Sequence, residues 1–336
     1  MCSEKASAGG IRDKVVFATI RPTEKRASSY PIISMEKSFA KLGIRTEIQQ
    51  KYVIQTFIGR VLGKLKLMRR FMTAPGRILL VPANNISEYL LFPKGCFQEV
   101  VTFSYDCWPD RYDEWESFFR RHKIKLAFIT ARQSADEMQR RLPGMKVVWM
   151  PEATDPADYR PQKKLADRPT DVLELGRKYD RYHSQIVGCL SESGRSHLFE
   201  AVKGEMIFPN DIKILAEGMG NAKILIAFPG SLTHPYAADV ETTTHRYFET
   251  FASKCLPLGR APQELVDLFG YNPVIDAELE CPSEQINDIL ANIGDYQGFV
   301  DRNHVRLLEV GTWDVRAAQI IERIEKTFSG GSRGHG

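Results

Sequence analysis

The feature that most constrains this chain is the alternation, along most of its length, of short unbroken apolar runs with amphipathic stretches of helical spacing. An apolar run without polar interruption suits a parallel strand covered on both faces, because a half-solvated strand alternates instead. VVFATI from Val15 is the first such run, followed by a loop rich in Arg, Thr and Ser at 21–29 and by helical spacing over 32–42. Others begin at Ile78, Val100, Leu126 and Val147, with amphipathic stretches at 113–122 and 135–142 between them. After Met150 the texture breaks: PEATDPADYRPQKKLADRPT holds four prolines in twenty residues and reads as a linker. The alternation restarts with VLELG after Asp171, helical spacing over 182–190, and KILIAFPG from Lys223. It continues with a helix over 246–252, the strand from Cys255, helices from near Pro262 and Ser283, and a periodic helix over 313–328.

This order predicts an α/β fold of two Rossmann-like domains whose parallel sheets face each other across a cleft, where ligands bind at the carboxyl ends of the strands. A length of 336 residues suits two such domains. The expected boundaries are 12–160 and 165–312, with disordered tails at 1–11 and 329–336.

Composition excludes some partners. A net charge of +4 is too mild to argue for nucleic acid, and no basic and aromatic interleaving suggests it. The positive excess is local: seven cations and no acid stand between Lys51 and Arg77. Within 54–72, Ile54, Phe57, Ile58, Val61, Leu62, Leu65 and Met68 fall at helical spacing with Arg60, Lys64 and Arg70 largely off that stripe. Two placements stay open for this cationic amphipathic helix: against anionic lipid, or packed on the first sheet with its cations in water. No apolar run is long enough for a membrane span and no secretion signal opens the chain, so a cytoplasmic location is expected, with peripheral contact at the inner face of the membrane as the open alternative. The six cysteines form no CxxC pair and read as mostly buried packing residues; with no HExxH motif or Cys/His cluster, neither metal nor cofactor is expected.

The segment ETTTHRYFE sets Glu241 and Glu249 seven residues apart, between the turn Pro229-Gly230-Ser231 and the strand CLPLG. It resembles the C-terminal domain of retaining glycosyltransferases of the two-domain GT-B architecture, whose signature is two glutamates at this spacing; in one branch the pattern ends Arg-x-Phe-Glu, here Arg246-Tyr247-Phe248-Glu249. The resemblance implies that Glu249 accepts the ribose hydroxyls of a nucleotide-sugar donor, and that Glu241 faces the sugar or the positive charge developing at its anomeric carbon. Arg246, Ser231 and Thr244 join the donor-nucleotide set. A carboxylate at a helix's first turn can serve ribose while the free amides and dipole favour the adjacent diphosphate. The resemblance also places a Gly-Arg pair after the first strand of the second domain, matched by Gly176-Arg177; Lys178, Arg181 or His183 is left to supply the second cation that neutralises the leaving diphosphate. No Asp-x-Asp pair stands where the other major glycosyltransferase architecture holds manganese, so metal-independent transfer is expected.

In the first domain, which holds the acceptor in the resembling enzymes, Asp106 follows a strand beside Trp108. Asp106 either orients an acceptor hydroxyl or caps the next helix. The segment from Pro151 to Asp155 resembles the hinge of these enzymes, and 313–328 their terminal helix crossing back to the first domain. The expected activity is hexosyl transfer from a nucleotide-sugar to a glycan or lipid-linked acceptor, in polysaccharide or cell-envelope glycan synthesis. A non-catalytic two-domain ligand-binding protein and a sugar-nucleotide epimerase of the same architecture are the alternatives.

Overall fold

The structure is a computed structural model that describes residues 10–19, 30–48, 76–83, 98–161, 163–201 and 206–329. The loop at 21–29, the basic stretch at 54–72 and nearly all of both tails lie outside the described residues. Of the tail expected at 1–11, Ile11 is described: it opens the one-turn helix Ile11–Lys14 and packs against the first sheet's core.

Two parallel sheets organise the chain. Strands β1 (Val15–Thr19), β2 (Arg45–Ile48), β3 (Ile78–Ala83), β4 (Glu99–Ser104), β5 (Leu126–Ile129) and β6 (Lys146–Trp149) form the first, in the order β2-β1-β3-β4-β5-β6. Strands β7 (Thr170–Leu173), β8 (His197–Leu198), β9 (Ala222–Ala227), β10 (Leu256–Gly259) and β11 (Ile275–Asp276) form the second, in the order β11-β10-β9-β7-β8. The central strands β3, β5, β7 and β10 are buried at every position, which explains the unbroken apolar runs of β3 and β5. Each sheet has an apolar cluster on each face: Trp115, Phe118, Phe119 and Met138 on one side of the first, Phe17, Phe39, Phe103 and Trp313 on the other.

The segment between the sheets is not a featureless linker. It forms two short 3-10 turns, Pro156–Asp158 and Leu165–Asp167, and buries Ala153, Tyr159, Leu165 and Arg168. The chain crosses between the sheets a second time at Gly311–Trp313, beside the first crossing. Thr154 N–H donates to Gly311 O (3.1 Å) and Trp313 N–H to Thr154 O (3.2 Å). Gly311 is required there by close approach, since an added Cβ would meet Leu307 Cδ1 at 2.6 Å and Phe248 Cδ1 at 2.9 Å. The helix Trp313–Phe328, capped by the Thr312 hydroxyl, then lies on the first sheet beside the helix Tyr30–Lys41, with Trp313 edge-on to Phe103.

Four of the six cysteines are described. Cys107 and Cys255 are buried as expected for packing residues, but Cys189 and Cys281 are exposed, on or beside helix surfaces rather than in strands. Among the described residues, no helix is long and apolar enough to cross a membrane.

Candidate active site

Strand order reverses at β7 and β9 in the second sheet, and the segments leaving the carboxyl ends of these strands carry the expected donor residues. After β7 the chain turns at Gly176, whose φ of +71° lies in the left-handed region open to glycine, and presents Arg177. After β9 it runs through Ser231 and Glu241 to the helix His245–Ala252, whose N-cap is Thr244. The Thr244 hydroxyl makes no capping hydrogen bond, so the first-turn amides are served by no side chain.

Glu249 does not stand at the helix's first turn as expected; it lies one turn inside, 6% exposed. Its carboxylate accepts from the Tyr159 hydroxyl (2.9 Å), pairs with Arg246 Nη1 (2.7 Å) and lies 3.5 Å from His245 Nε2. Burial pushes this carboxyl up, but Arg246, His245 and Tyr159 outweigh it and hold the group below its ordinary value. The Arg246 guanidinium also reaches Gly176, where a Cβ would stand 3.8 Å from Nη2, so the Arg-x-Phe-Glu segment and the Gly-Arg turn meet.

Glu241 sits on the loop before that helix and pairs with Arg260, which follows β10. Its backbone N–H donates to Gln133 Oε1 (2.7 Å) of the first sheet's side, and Gln133 Nε2 donates to Asp239 O (3.2 Å). Glu264, 4% exposed, accepts from the backbone N–H groups of Thr243 and Arg132, one from each side of the cleft. Trp108 stacks on His234 (centroids 4.7 Å apart) and, with Ala131, Ala237 and Val240, forms a small apolar cluster bridging the two halves.

Asp106, from the carboxyl end of β4, holds a left-handed φ of +48°. It caps no helix: the turn Pro109–Arg111 starts at Trp108, the helix Tyr112–His122 at Arg111, and neither has a side-chain cap, which removes the capping alternative. Burial raises the Asp106 carboxyl, with Arg177, Trp108 and Arg111 pulling the other way; burial and then Arg177 lower His234. Arg177 thus acts on Asp106 and His234 together. Lys178 does not join this group. Its ammonium donates to Glu200 O (2.5 Å) and lies 5.2 Å from the Phe199 ring centroid. The Ser231 hydroxyl is buried without a partner.

Glu152, in the segment read from sequence as a hinge, is an acid of this cleft. Its side chain is 20% exposed, 3.7 Å from His245 Nδ1, and burial, then Asp106, Glu249 and Glu264, push it up to about 8. Sequence reasoning missed His245, Arg260, Tyr159, Glu264, Gln133 and His234. Arg177 comes from the Gly-Arg pair of the resemblance; Arg260 also follows a strand's carboxyl end, a position that could have singled it out, and Tyr159 stands out as an aromatic in a polar segment. Gln133 and Glu264 carry no local signal.

Folding also assembles a cluster that linear spacing hid, Glu174, His183 and His197. A cavity of about 600 Å³ beside the helix Ile212–Gly220, lined by Tyr30, Asp158, Arg160 and Lys213 among others, includes none of the residues assigned to the site.

No protein-family model and no curated protein sequence matches the chain. Solved structures do match its fold. Sucrose-phosphate synthase from Thermosynechococcus elongatus aligns with a TM-score of 0.60 and 12% identity, over 94% of this chain and 99% of that one. An alpha-glucosyltransferase in complex with UDP aligns at 0.58 and 12%, over 92% and 99%. HepE from Anabaena in complex with UDP-glucose aligns at 0.56 and 11%, over 93% and 99%. These proteins are glycosyltransferases of the GT-B architecture, and this chain has that fold.

Proposed function

We propose that the chain is a glycosyltransferase that moves a hexosyl group from a nucleoside diphosphate sugar to a hydroxyl of a glycan or lipid-linked acceptor, with retention at the anomeric carbon. The observation that carries this reading is the meeting of Gly176-Arg177 with the helix His245–Ala252. The Arg246 side chain of that helix lies against Gly176, so the turn that presents the Arg177 cation touches a helix whose first-turn amides carry no side-chain cap, and a departing diphosphate is served by both kinds of group. The bond from the anomeric carbon to the diphosphate oxygen breaks, its electron pair leaving with the phosphate. The acceptor oxygen bonds to that carbon on the same face and gives up its proton to the departing phosphate oxygen. Arg177 and the amides take the developing negative charge, so this step needs no ion on the diphosphate. Glu241, held by Arg260 and Gln133, faces the sugar, and Asp106 orients the acceptor hydroxyl. Glu249, paired with Arg246, accepts the ribose hydroxyls of the donor.

Polysaccharide or cell-envelope glycan synthesis on the cytoplasmic side of a membrane is the pathway class this reading favours. UDP or UDP-glucose accompanies several solved structures of this fold, and one alpha-glucosyltransferase is also bound to DNA, so UDP is the first donor base to try, and DNA is tried as an acceptor beside glycans and lipid-linked sugars.

The test is a thermal-shift panel of UDP, GDP, ADP, CMP and TDP with and without magnesium, followed by proton NMR of the product formed from the stabilising nucleotide's sugars. Stabilisation by one diphosphate without magnesium and an α-to-α product support the reading. An inverted product removes retention, an epimerised free nucleotide-sugar moves the chain to the epimerase alternative, and binding of a ligand without turnover moves it to the binding-protein alternative.

A further inference from the structure

The strand-helix-strand unit that opens the second sheet gathers three metal-type ligands that sugar transfer does not use. Glu174 directly follows β7, His183 lies in the first turn of the helix Asp180–Glu192, and His197 lies on β8, the strand paired with β7. One donor atom of each lies within 4.8 Å of the others, and among the described residues no second group of three or more His, Cys, Asp or Glu side chains is gathered so closely. Glu174 Oε2 is the hub, 2.5 Å from His183 Nδ1 and 3.5 Å from His197 Nε2. Phe199 packs on both imidazoles, with ring centroids 4.8 and 4.7 Å away.

A hydrogen-bonded carboxylate and imidazole account for Glu174 and His183 but not for His197. The His197 side chain is 5% exposed, and both of its ring nitrogens are buried without a hydrogen-bond partner. A buried polar atom left unpaired costs about 1–3 kcal/mol. A metal ion would give Nε2 a partner. Zinc bonds to nitrogen and oxygen of about 2.0–2.1 Å set tetrahedral donors roughly 3.3–3.4 Å apart, close to the 3.5 Å between His197 and Glu174. His183 would withdraw from the carboxylate by a little under about 1 Å to reach the same spacing. Two imidazoles and one carboxylate suit zinc, and one anionic ligand beside two neutral ones partly offsets the ion's charge.

We propose that Glu174, His183 and His197 form a zinc site with a water in the fourth position. It ties β7, the helix Asp180–Glu192 and β8 together two residues before Gly176. Phe199 touches both imidazoles of the cluster and the Lys178 ammonium, so the ion steadies the base of the loop that carries Arg177. The site stands or falls independently of the glycosyltransferase reading.

The experiment is titration of the chelator-stripped full chain with Zn²⁺ by calorimetry and with Co²⁺ by visible absorption. One equivalent is expected to bind with a four-coordinate cobalt spectrum and to raise the melting temperature. His183→Ala and His197→Ala are each expected to weaken binding by more than the roughly 10–100-fold that loss of an outer-shell partner costs. His335→Ala, in the Gly-rich tail, should leave binding unchanged. A stripped wild type that takes up no zinc overturns the proposal, as does His197→Ala binding zinc as tightly as the wild type. Glu174→Gln, which keeps the shape of the carboxylate, separates ligand loss from misfolding: undiminished zinc binding in this variant also overturns the site.

Discussion

Glu264 accepts a hydrogen bond at 2.8 Å from the backbone N–H of Arg132, which belongs to the other half of the molecule. Its second carboxylate oxygen takes the N–H of Thr243, two residues after Glu241. One buried acid therefore joins the wall of the first sheet to the loop that positions a candidate catalytic carboxylate. Glu264→Ala strands both amides in a buried place, which at about 1–3 kcal/mol each should cost roughly 2–6 kcal/mol in denaturant unfolding. Glu264→Gln, which keeps one acceptor oxygen, should lose about half of that.

The two cations after β7 should separate in kinetics. The Arg177 charge lowers both the Asp106 carboxyl and the His234 imidazole, whereas Lys178 is committed to Glu200 O and the Phe199 ring. Arg177→Ala should lower kcat/KM by about 10²–10³-fold, the scale of losing one preorganised charge-stabilising group, and Lys178→Ala by less than about tenfold. Equal losses in the two variants would remove the assignment of Arg177 as the diphosphate cation.

Glu249 is occupied in the fold by Arg246, His245 and Tyr159, so its replacement has a stability cost as well as a binding cost. Tyr159→Phe removes a hydrogen bond to a charged group and should destabilise by about 1.5–3 kcal/mol. Because the folded carboxyl is held below the ordinary value of 4.5, its stabilisation is present above that value and lost as pH falls through the lowered one. Unfolding measured from pH 6 down to 3 should show this acid loss in the wild type and a shallower one in Glu249→Gln.

Glu152 gives the opposite sign. Its folded value of about 8 lies above the unfolded 4.5, so its contribution is fully present below pH 4.5 and lost as pH rises to 8. Glu152→Gln should flatten the decline in stability over that window. Since Glu152 adjoins His245, ionisation above pH 8 also adds negative charge beside the helix start. Nucleoside diphosphate affinity should fall above pH 8 in the wild type and hold constant in Glu152→Gln, as calorimetry at pH 7 and 9 would show.

The sequence carried those parts of the fold that burial writes into consecutive residues. β3, β5 and β9 read directly because they pack on both faces, but Arg45–Ile48, His197–Leu198 and Ile275–Asp276 are short edge strands with little apolar pattern. The helix Gln297–Val310 buries only Val300, Asn303 and Leu307, too thin a stripe to register. At the site, Glu249 with Arg246 was legible as a local motif. Tyr159 meets Glu249 across 90 residues, Arg132 meets Glu264 across 132, and Gln133 meets Glu241 across 108. Tyr159 reaches Glu249 within the second sheet's core, and the other two pairs are fixed by the docking of one sheet on the other; no local spacing encodes either.

The helix Trp313–Phe328, lying on the first sheet, has a consequence for how the protein is made. Phe17, Phe39 and Phe103 have their greasy flank covered by a segment synthesised some two hundred residues after the last of them. During synthesis that flank stays bare until residues 313–328 have emerged. No single cut can therefore yield two self-sufficient halves: a fragment ending at Met150 lacks its own lid, and the complementary fragment carries a lid with nothing to cover.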